Sequence, residues 1–165
     1  MILKEIVDFF DSKGFYQFIH VILSTVTDPV IADLTSPLTP TSTLEVYDQK
    51  LMLTQSMILH KQTALISGAK KIFIISPNVR IENVSKQYTR RHCFEFSQVD
   101  FEIAYAKRED VFDLIEEFMV TLITKLNKDH SELLALQERT LKIPKRPFKK
   151  YTAQNCKKNI KEIGL

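Results

Sequence analysis

Arg80 and Glu82 stand two residues apart in the segment NVRIEN. In a strand, alternate side chains share a face, so this guanidinium and this carboxylate project together. The next segment, NVSKQYTRR, brings Lys86, Arg90 and Arg91 before a second extended stretch that opens at His92. Strand, basic loop and return strand make a clamp for phosphate. An arginine on a rigid strand holds a phosphate and a carboxylate with its planar fork of donors, which a lysine does less specifically. Glu82 can orient that fork or accept a hydrogen bond from an amine. Phe96, on the same face as His92, offers a flat apolar surface on which an adenine ring can stack. Taken singly, each residue also has an ordinary reading as a surface ion pair, a core aromatic or a solvated turn. Taken together, residues 78–102 read as a nucleotide-handling β-hairpin.

The elements that must position this hairpin follow from hydrophobic spacing. Ile2, Leu3, Ile6, Phe9 and Phe10 recur at three- and four-residue steps and Gly14 follows, which predicts an amphipathic helix over 2–13. Phe15 to Leu23 is nearly continuous in aromatic and β-branched residues and suits a buried strand. Asp28-Pro29 breaks it, and DLTSPLTPTST, 33–43, has the composition of an exposed loop. Val46 to Leu53 reads as a strand, Ser56 to Ala69 as a helix ending on Gly68, and Ile72 to Ile75 as a short strand. From His92 to Ile103 the alternation assigns two faces. One carries His92, Phe94, Phe96, Gln98, Asp100 and Glu102, too polar for a simple core; the other carries Cys93, Glu95, Ser97, Val99, Phe101 and Ile103. Asp110 is expected to cap a helix striped by Val111, Leu114, Ile115, Phe118, Leu122 and Leu126. Beyond residue 126 the helical signal weakens.

Composition bounds the rest. With 165 residues and 44% hydrophobic content, the chain can close one core. No run of about 18 uncharged apolar residues predicts a membrane span, and MILKEIVDFFDSKG lacks a basic, apolar and cleavable pattern of a signal peptide. A cytoplasmic location is the expectation. Cys93 and Cys156 form no CxxC framework, which suits a reducing compartment and argues against sulfur-bound metal. The net charge of +3 is unevenly spread: from Arg139 onward nine Lys or Arg face one acid, Glu162, a net +8, whereas residues 1–138 carry 14 basic and 19 acidic side chains, a net −5. A basic tail over 139–165 on an acidic body is either a solvated end or a contact for RNA phosphates.

The residues around the hairpin resemble motif 2 of class II aminoacyl-tRNA synthetases, in the spelling of the aspartyl and asparaginyl branch: Arg80-x-Glu82, a loop, then TRRHCFEFSQVDFE. The resemblance implies an α+β fold, an antiparallel sheet flanked by helices, and a partial catalytic domain over 1–138 that holds the motif 1 and motif 2 regions. It assigns Arg80 to the ATP α-phosphate and the amino-acid carboxylate, and Glu82 to the acid two residues on. His92 falls near the outer phosphates, Phe96 against adenine, and Glu95 among the ATP-binding residues. Upstream, LTQSMILHKQ resembles the segment lining the amino-acid pocket, typically spelled Ser-Pro-Gln and then a lysine. Here Met57 and Ile58 replace the Pro-Gln pair. Gln55, Ser56 and Lys61 are the implied substrate-binding residues, with Lys61 receiving the side-chain carboxylate. A cation there suits aspartate better than asparagine. Asp28-Pro29 falls where motif 1 has its proline, at a homodimer interface.

The closest form of the resemblance is the archaeal asparagine synthetase, related to asparaginyl-tRNA synthetase. It too starts directly at the catalytic core, and SMILHKQ has its spelling. The implied activity is ATP-dependent activation of aspartate or asparagine as an aminoacyl-adenylate, with tRNA or ammonia as acceptor and Mg2+ as the family's cation. The family's motif 3 is a glycine-rich strand and helix with a second arginine. Gly14, Gly68 and Gly164, the three glycines here, are not in such a setting. An impaired enzyme is therefore expected, with ligands for Mg2+ outside this chain and no metal site within it. The rival readings are a non-catalytic dimerisation partner and an RNA-binding paralogue acting through the basic tail.

Overall fold

The computed structural model describes residues 2–26, 43–80 and 93–156. It divides into two compact units, one of residues 1–9 and 106–165, the other of residues 10–105.

The first helix, α1 (Ile2–Ser12), ends as its sequence predicts. Gly14 takes φ +73°, Gly14 N donates to Asp11 O and Phe15 N to Phe10 O. This pair of bonds caps the last carbonyls, and the left-handed conformation favours glycine. The expected strand over 15–23 is instead two short ones, β1 (Tyr16–Gln17) and β2 (Leu23–Ser24), serving different sheets. The expected strand over 46–53 is also two, β3 (Thr43–Val46) and β4 (Gln49–Leu53). Tyr47 and Asp48, at φ 49° and 62°, form the two-residue turn between them. Such turns usually carry Gly or Asn, so Tyr-Asp hid the hairpin in an otherwise strand-like run.

The helix α2 (Ile58–Ile66) stops at Gly68, which has φ +107°; Gly68 N donates to Leu65 O and Ala69 N to Ala64 O. After it comes β5 (Lys71–Val79), nine residues where four were expected, because the strand continues through Ser76-Pro77. Pro77 pairs with Ser97 of β6 (Glu95–Ile103), the antiparallel register running from Lys71↔Ile103 to Val79↔Glu95. One sheet has the order β1-β5-β6 and the other β2-β4-β3. The fold is α+β and its ladders are antiparallel except for β1, which pairs parallel to β5. Thr54 ties the two sheets: its N–H and hydroxyl donate to Ile22 O and Val21 O, and its carbonyl accepts from Val79 N. One face of β5-β6 closes the aromatic core of this unit. Phe10 stacks on Phe73 at 5.0 Å, with Phe15 and Phe101 edge-on or tilted around it. Burial of such rings is the main favourable term here.

In the other unit, α3 (Arg108–Asp129) starts two residues before the expected cap. Asp110 sits in its first turn and accepts from Lys107 N at 2.8 Å, so it caps by reaching back. Phe118 packs on Phe9 at 5.1 Å, and Lys125 pairs with Glu5 at 2.7 Å. Ile115, placed in the apolar stripe by spacing, is exposed; the buried residue of α3 is Glu116. A short helix, α4 (Ser131–Leu136), follows where the sequence signal was weak.

The described part of the basic tail is neither frayed nor free. It runs back along α3 as an irregular strap, held at three heights. Asn127 Nδ2 donates to Leu141 O, Glu116 accepts from Phe148 N at 3.0 Å and pairs with Arg146, and Lys150 lies over the Phe112 ring.

Candidate functional site

The face of β5-β6 opposite the aromatic core carries the polar residues that the alternation placed there. Directly opposed pairs share a face, so Ile72, Ile74, Ser76 and Asn78 stand with Glu102, Asp100, Gln98 and Phe96. Lys61, one turn into α2, reaches this face. Its ammonium lies 3.0 Å from Glu102 Oε1 and 3.7 Å from Asp100 Oδ2. Gln98 Nε2 donates to Asp100 Oδ1 at 3.0 Å, and Asn78 Nδ2 donates to Ser76 O at 3.2 Å and to Gln98 Oε1 at 3.4 Å. The result is a continuous polar chain, Asn78–Gln98–Asp100–Lys61–Glu102. Asn78 is fully buried, and its Oδ1 has no partner among the described residues.

Lysines are rarely this buried unless paired, and Lys61 is only 5% exposed. Its partners satisfy that rule. Two carboxylates around one ammonium leave the cluster with a net charge of −1, so the cation expected to receive a substrate carboxylate is already compensated within the fold. The spacing of α2 gave no warning of this, because a lysine on a short helix is normally solvated. The available signal was on the other element: Asp100 and Glu102 on a strand face too polar for a core required a cation.

Arg80 extends the same face past the end of β5. Its N–H donates to Phe94 O at 2.7 Å, which prolongs the β5-β6 ladder by one bond. Its guanidinium carbon lies 5.0 Å from the Phe96 ring centroid, and Nε donates to Gln55 O at 3.2 Å. Stacking and one hydrogen bond thus hold the fork in place. Its two terminal nitrogens make no hydrogen bond to any described residue, and they are the donors that an oxyanion needs. Gln55 is buried and contributes its carbonyl to this arrangement. Ser56 Oγ accepts from Ile58 N at the start of α2, and Met57, which stands in place of the proline, is fully buried. Glu95 is exposed at the outer end of β6, opposite Val79. The structure therefore brings Arg80, Phe96 and Gln55 together, and puts Lys61 on the same sheet face. Glu82, His92, the loop between them and Asp28-Pro29 lie outside the described residues.

An arginine fork beside an aromatic ring can hold an anion next to a flat apolar group. Among the described residues, no group of three His, Cys, Asp or Glu side chains could hold a metal ion. No described helix is long and apolar enough to cross a membrane.

Comparison with known proteins agrees with this architecture. The family model for class II tRNA synthetases (D, K and N) matches residues 1–164. The aspartate–tRNA(Asp) ligase of Pyrococcus horikoshii is 30% identical over 164 residues, which is 99% of this chain and 35% of the relative. The aspartate–tRNA(Asp/Asn) ligase of Methanoculleus marisnigri is 31% identical over 126 residues, 76% of this chain and 29% of the relative. The chain thus spans about a third of the length of these relatives. Among solved structures, the asparaginyl-tRNA synthetase of Entamoeba histolytica superposes with a TM-score of 0.80 at 21% identity, covering 99% of this chain and 34% of that one. The Pyrococcus horikoshii asparaginyl-tRNA synthetase in complex with asparaginyl-adenylate gives 0.79 at 19% identity, covering 99% and 36%. These two show a shared fold. With the family model spanning nearly every residue, the chain belongs to the class II tRNA synthetases of the D, K and N group.

Proposed function

We propose that this chain supplies one wall of a site that activates aspartate or asparagine with ATP, forming an aminoacyl-adenylate and pyrophosphate. The observation that carries the reading is Arg80 held over Phe96 with its terminal donors turned to no described partner. A fork so placed binds the carboxylate and the α-phosphate at once. It brings nucleophile and electrophile together and stabilises the charge on the phosphoryl oxygens. Glu82 orients or accepts at the same place, and His92 and Glu95 complete the nucleotide contacts. Lys61, Gln55 and Ser56 line the amino-acid side. By itself the 165-residue chain offers adenine one stacking face, so ATP binds weakly and exchange is slow. The test is ATP binding and aspartate- or asparagine-dependent pyrophosphate exchange. Arg80→Ala should weaken ATP binding about 30-fold or more, as expected for two charge-assisted hydrogen bonds, and Phe96→Ala about 10-fold. Unchanged binding in both variants refutes the clamp. Exchange by the isolated chain at the rate of a full-length relative refutes the impairment.

A homodimer is part of the same proposal. Tyr16, Ile19 and Val26 are 73%, 82% and 52% exposed and, with Leu59 and Ala64 of α2, line a cavity of about 560 Å3. Apolar surface of this kind is usually covered. Sedimentation should show a dimer, and Ile19→Asp should return it to monomer.

A further inference from the structure

Asn78 is the most deeply buried member of the polar chain, and its own stability does not explain it. It lies fully buried beside Ser76, which is buried as completely. Its Nδ2 donates to Ser76 O at 3.2 Å, and to Ser76 Oγ and Gln98 Oε1 at 3.4 Å. Turning the amide over would set its oxygen against Ser76 O and Gln98 Oε1, both acceptors, so the neighbours fix its orientation. Its Oδ1 is left in the interior with no partner among the described residues. A buried acceptor without a donor is destabilising, and an aliphatic side chain at this strand position would pack without that loss. Ile72 and Ile74, on the same face of β5, are aliphatic and buried. The amide at position 78 is therefore to be understood by what its NH2 group holds.

What it holds is Gln98. Fixed at Oε1 by Asn78, Gln98 presents Nε2 to Asp100 Oδ1 at 3.0 Å. That bond occupies one oxygen of Asp100 and leaves Oδ2 toward Lys61 Nζ, 3.7 Å away, while Glu102 holds the ammonium from its other side. Asn78 also stands directly opposite Phe96, the ring that carries the Arg80 guanidinium. One buried amide thus joins the ring beneath the arginine fork to the cluster around the lysine. We propose that Asn78 is a positioning residue for the amino-acid side of the site: acting through Gln98 and Asp100, it fixes the Lys61 ammonium in register with Arg80. The inference rests on the function proposed above, in which Lys61 lines the amino-acid side. Asn78 has no exposed surface of its own, so it acts only through its neighbours.

The experiment compares the full 165-residue chain with Asn78→Val, Gln98→Met and the double variant, using exchange of radiolabelled pyrophosphate at varied aspartate or asparagine and varied ATP. Asn78→Val should raise the KM for the amino acid about 10-fold, the size of one hydrogen bond in a charged network, and leave the KM for ATP unchanged. It should melt at or above the wild-type temperature, since the orphaned acceptor is gone and the half-buried Gln98 can turn its Oε1 to water. Gln98→Met should give the same shift in KM. The double variant should raise it no further than either single change, because both act along one chain of bonds. An unchanged KM for the amino acid in Asn78→Val, or losses that add in the double variant, overturns the proposal. So does a lower melting temperature with both KM values rising together, the signature of a merely structural residue. A wild-type chain without exchange on either amino acid removes the proposed function and this inference with it. Exchange by the wild type with an unaltered Asn78→Val variant removes this inference alone.

Discussion

The ammonium of Lys61 lies 3.0 Å from Glu102 Oε1, and both groups face the same side of the β5-β6 sheet as Arg80 and Phe96. A helix lysine thus neutralises two carboxylates that a strand presents to a partly enclosed face. The pairing makes Lys61 a structural necessity. Removing one partner of a buried ionic cluster costs more than forming it gains.

Lys61→Met should therefore destabilise the chain by about 2–4 kcal/mol at neutral pH, because Asp100 and Glu102 lose their compensating charge. Urea unfolding measures it. The triple change Lys61→Met, Asp100→Asn, Glu102→Gln should recover most of the loss, since no uncompensated charge then remains.

The aromatic cluster behind the sheet predicts a larger effect. Phe10 is 1% exposed and touches Phe15, Phe73 and Phe101. Phe10→Ala should cost about 3–5 kcal/mol through lost burial and the cavity left behind. Phe10→Leu should cost clearly less, and equal costs would contradict the packing described.

Glu116 fastens the strap to α3. Glu116→Gln keeps an acceptor for Phe148 N but removes the charge facing Arg146, which is itself partly exposed, so the loss should be about 1 kcal/mol. Hydrogen exchange should report it first at Phe148, and a double cycle with Arg146→Gln should show coupling of the same size.

The pair Lys125–Glu5 carries a pH signature. The hydrogen bond from Lys125 to Glu5 raises the lysine above its ordinary 10.5, with desolvation opposing. A raised folded value means that the contribution is complete below 10.5 and is lost as pH rises through the folded value. The melting temperature of the wild type should exceed that of Lys125→Met at pH 7–9, and the difference should close in strong alkali. A difference that persists there would assign the effect to packing of the lysine stem.

The polar sheet face was legible in the chain itself because its pattern is local. The alternation from His92 to Ile103 put Phe96, Gln98, Asp100 and Glu102 on one face, where the β5-β6 register places them, whereas Glu82 and His92 lie outside the described residues. Period-2 alternation survives folding, since a one-residue slip would reverse every side chain. The helix ends at Gly14 and Gly68 were equally local, set by backbone conformations that glycine adopts freely. Tertiary structure alone decided the rest. Strand 15–23 was divided between two sheets by pairing partners far along the chain, and Tyr47-Asp48 turned without glycine or asparagine because its flanking strands demanded it. Lys61 became buried only when α2 met two acids 39 and 41 residues away, and the basic tail became a strap because Glu116 lay waiting on α3. Long-range ionic and hydrogen-bond partners leave no periodic trace in a sequence; they exist only once the elements that carry them have packed.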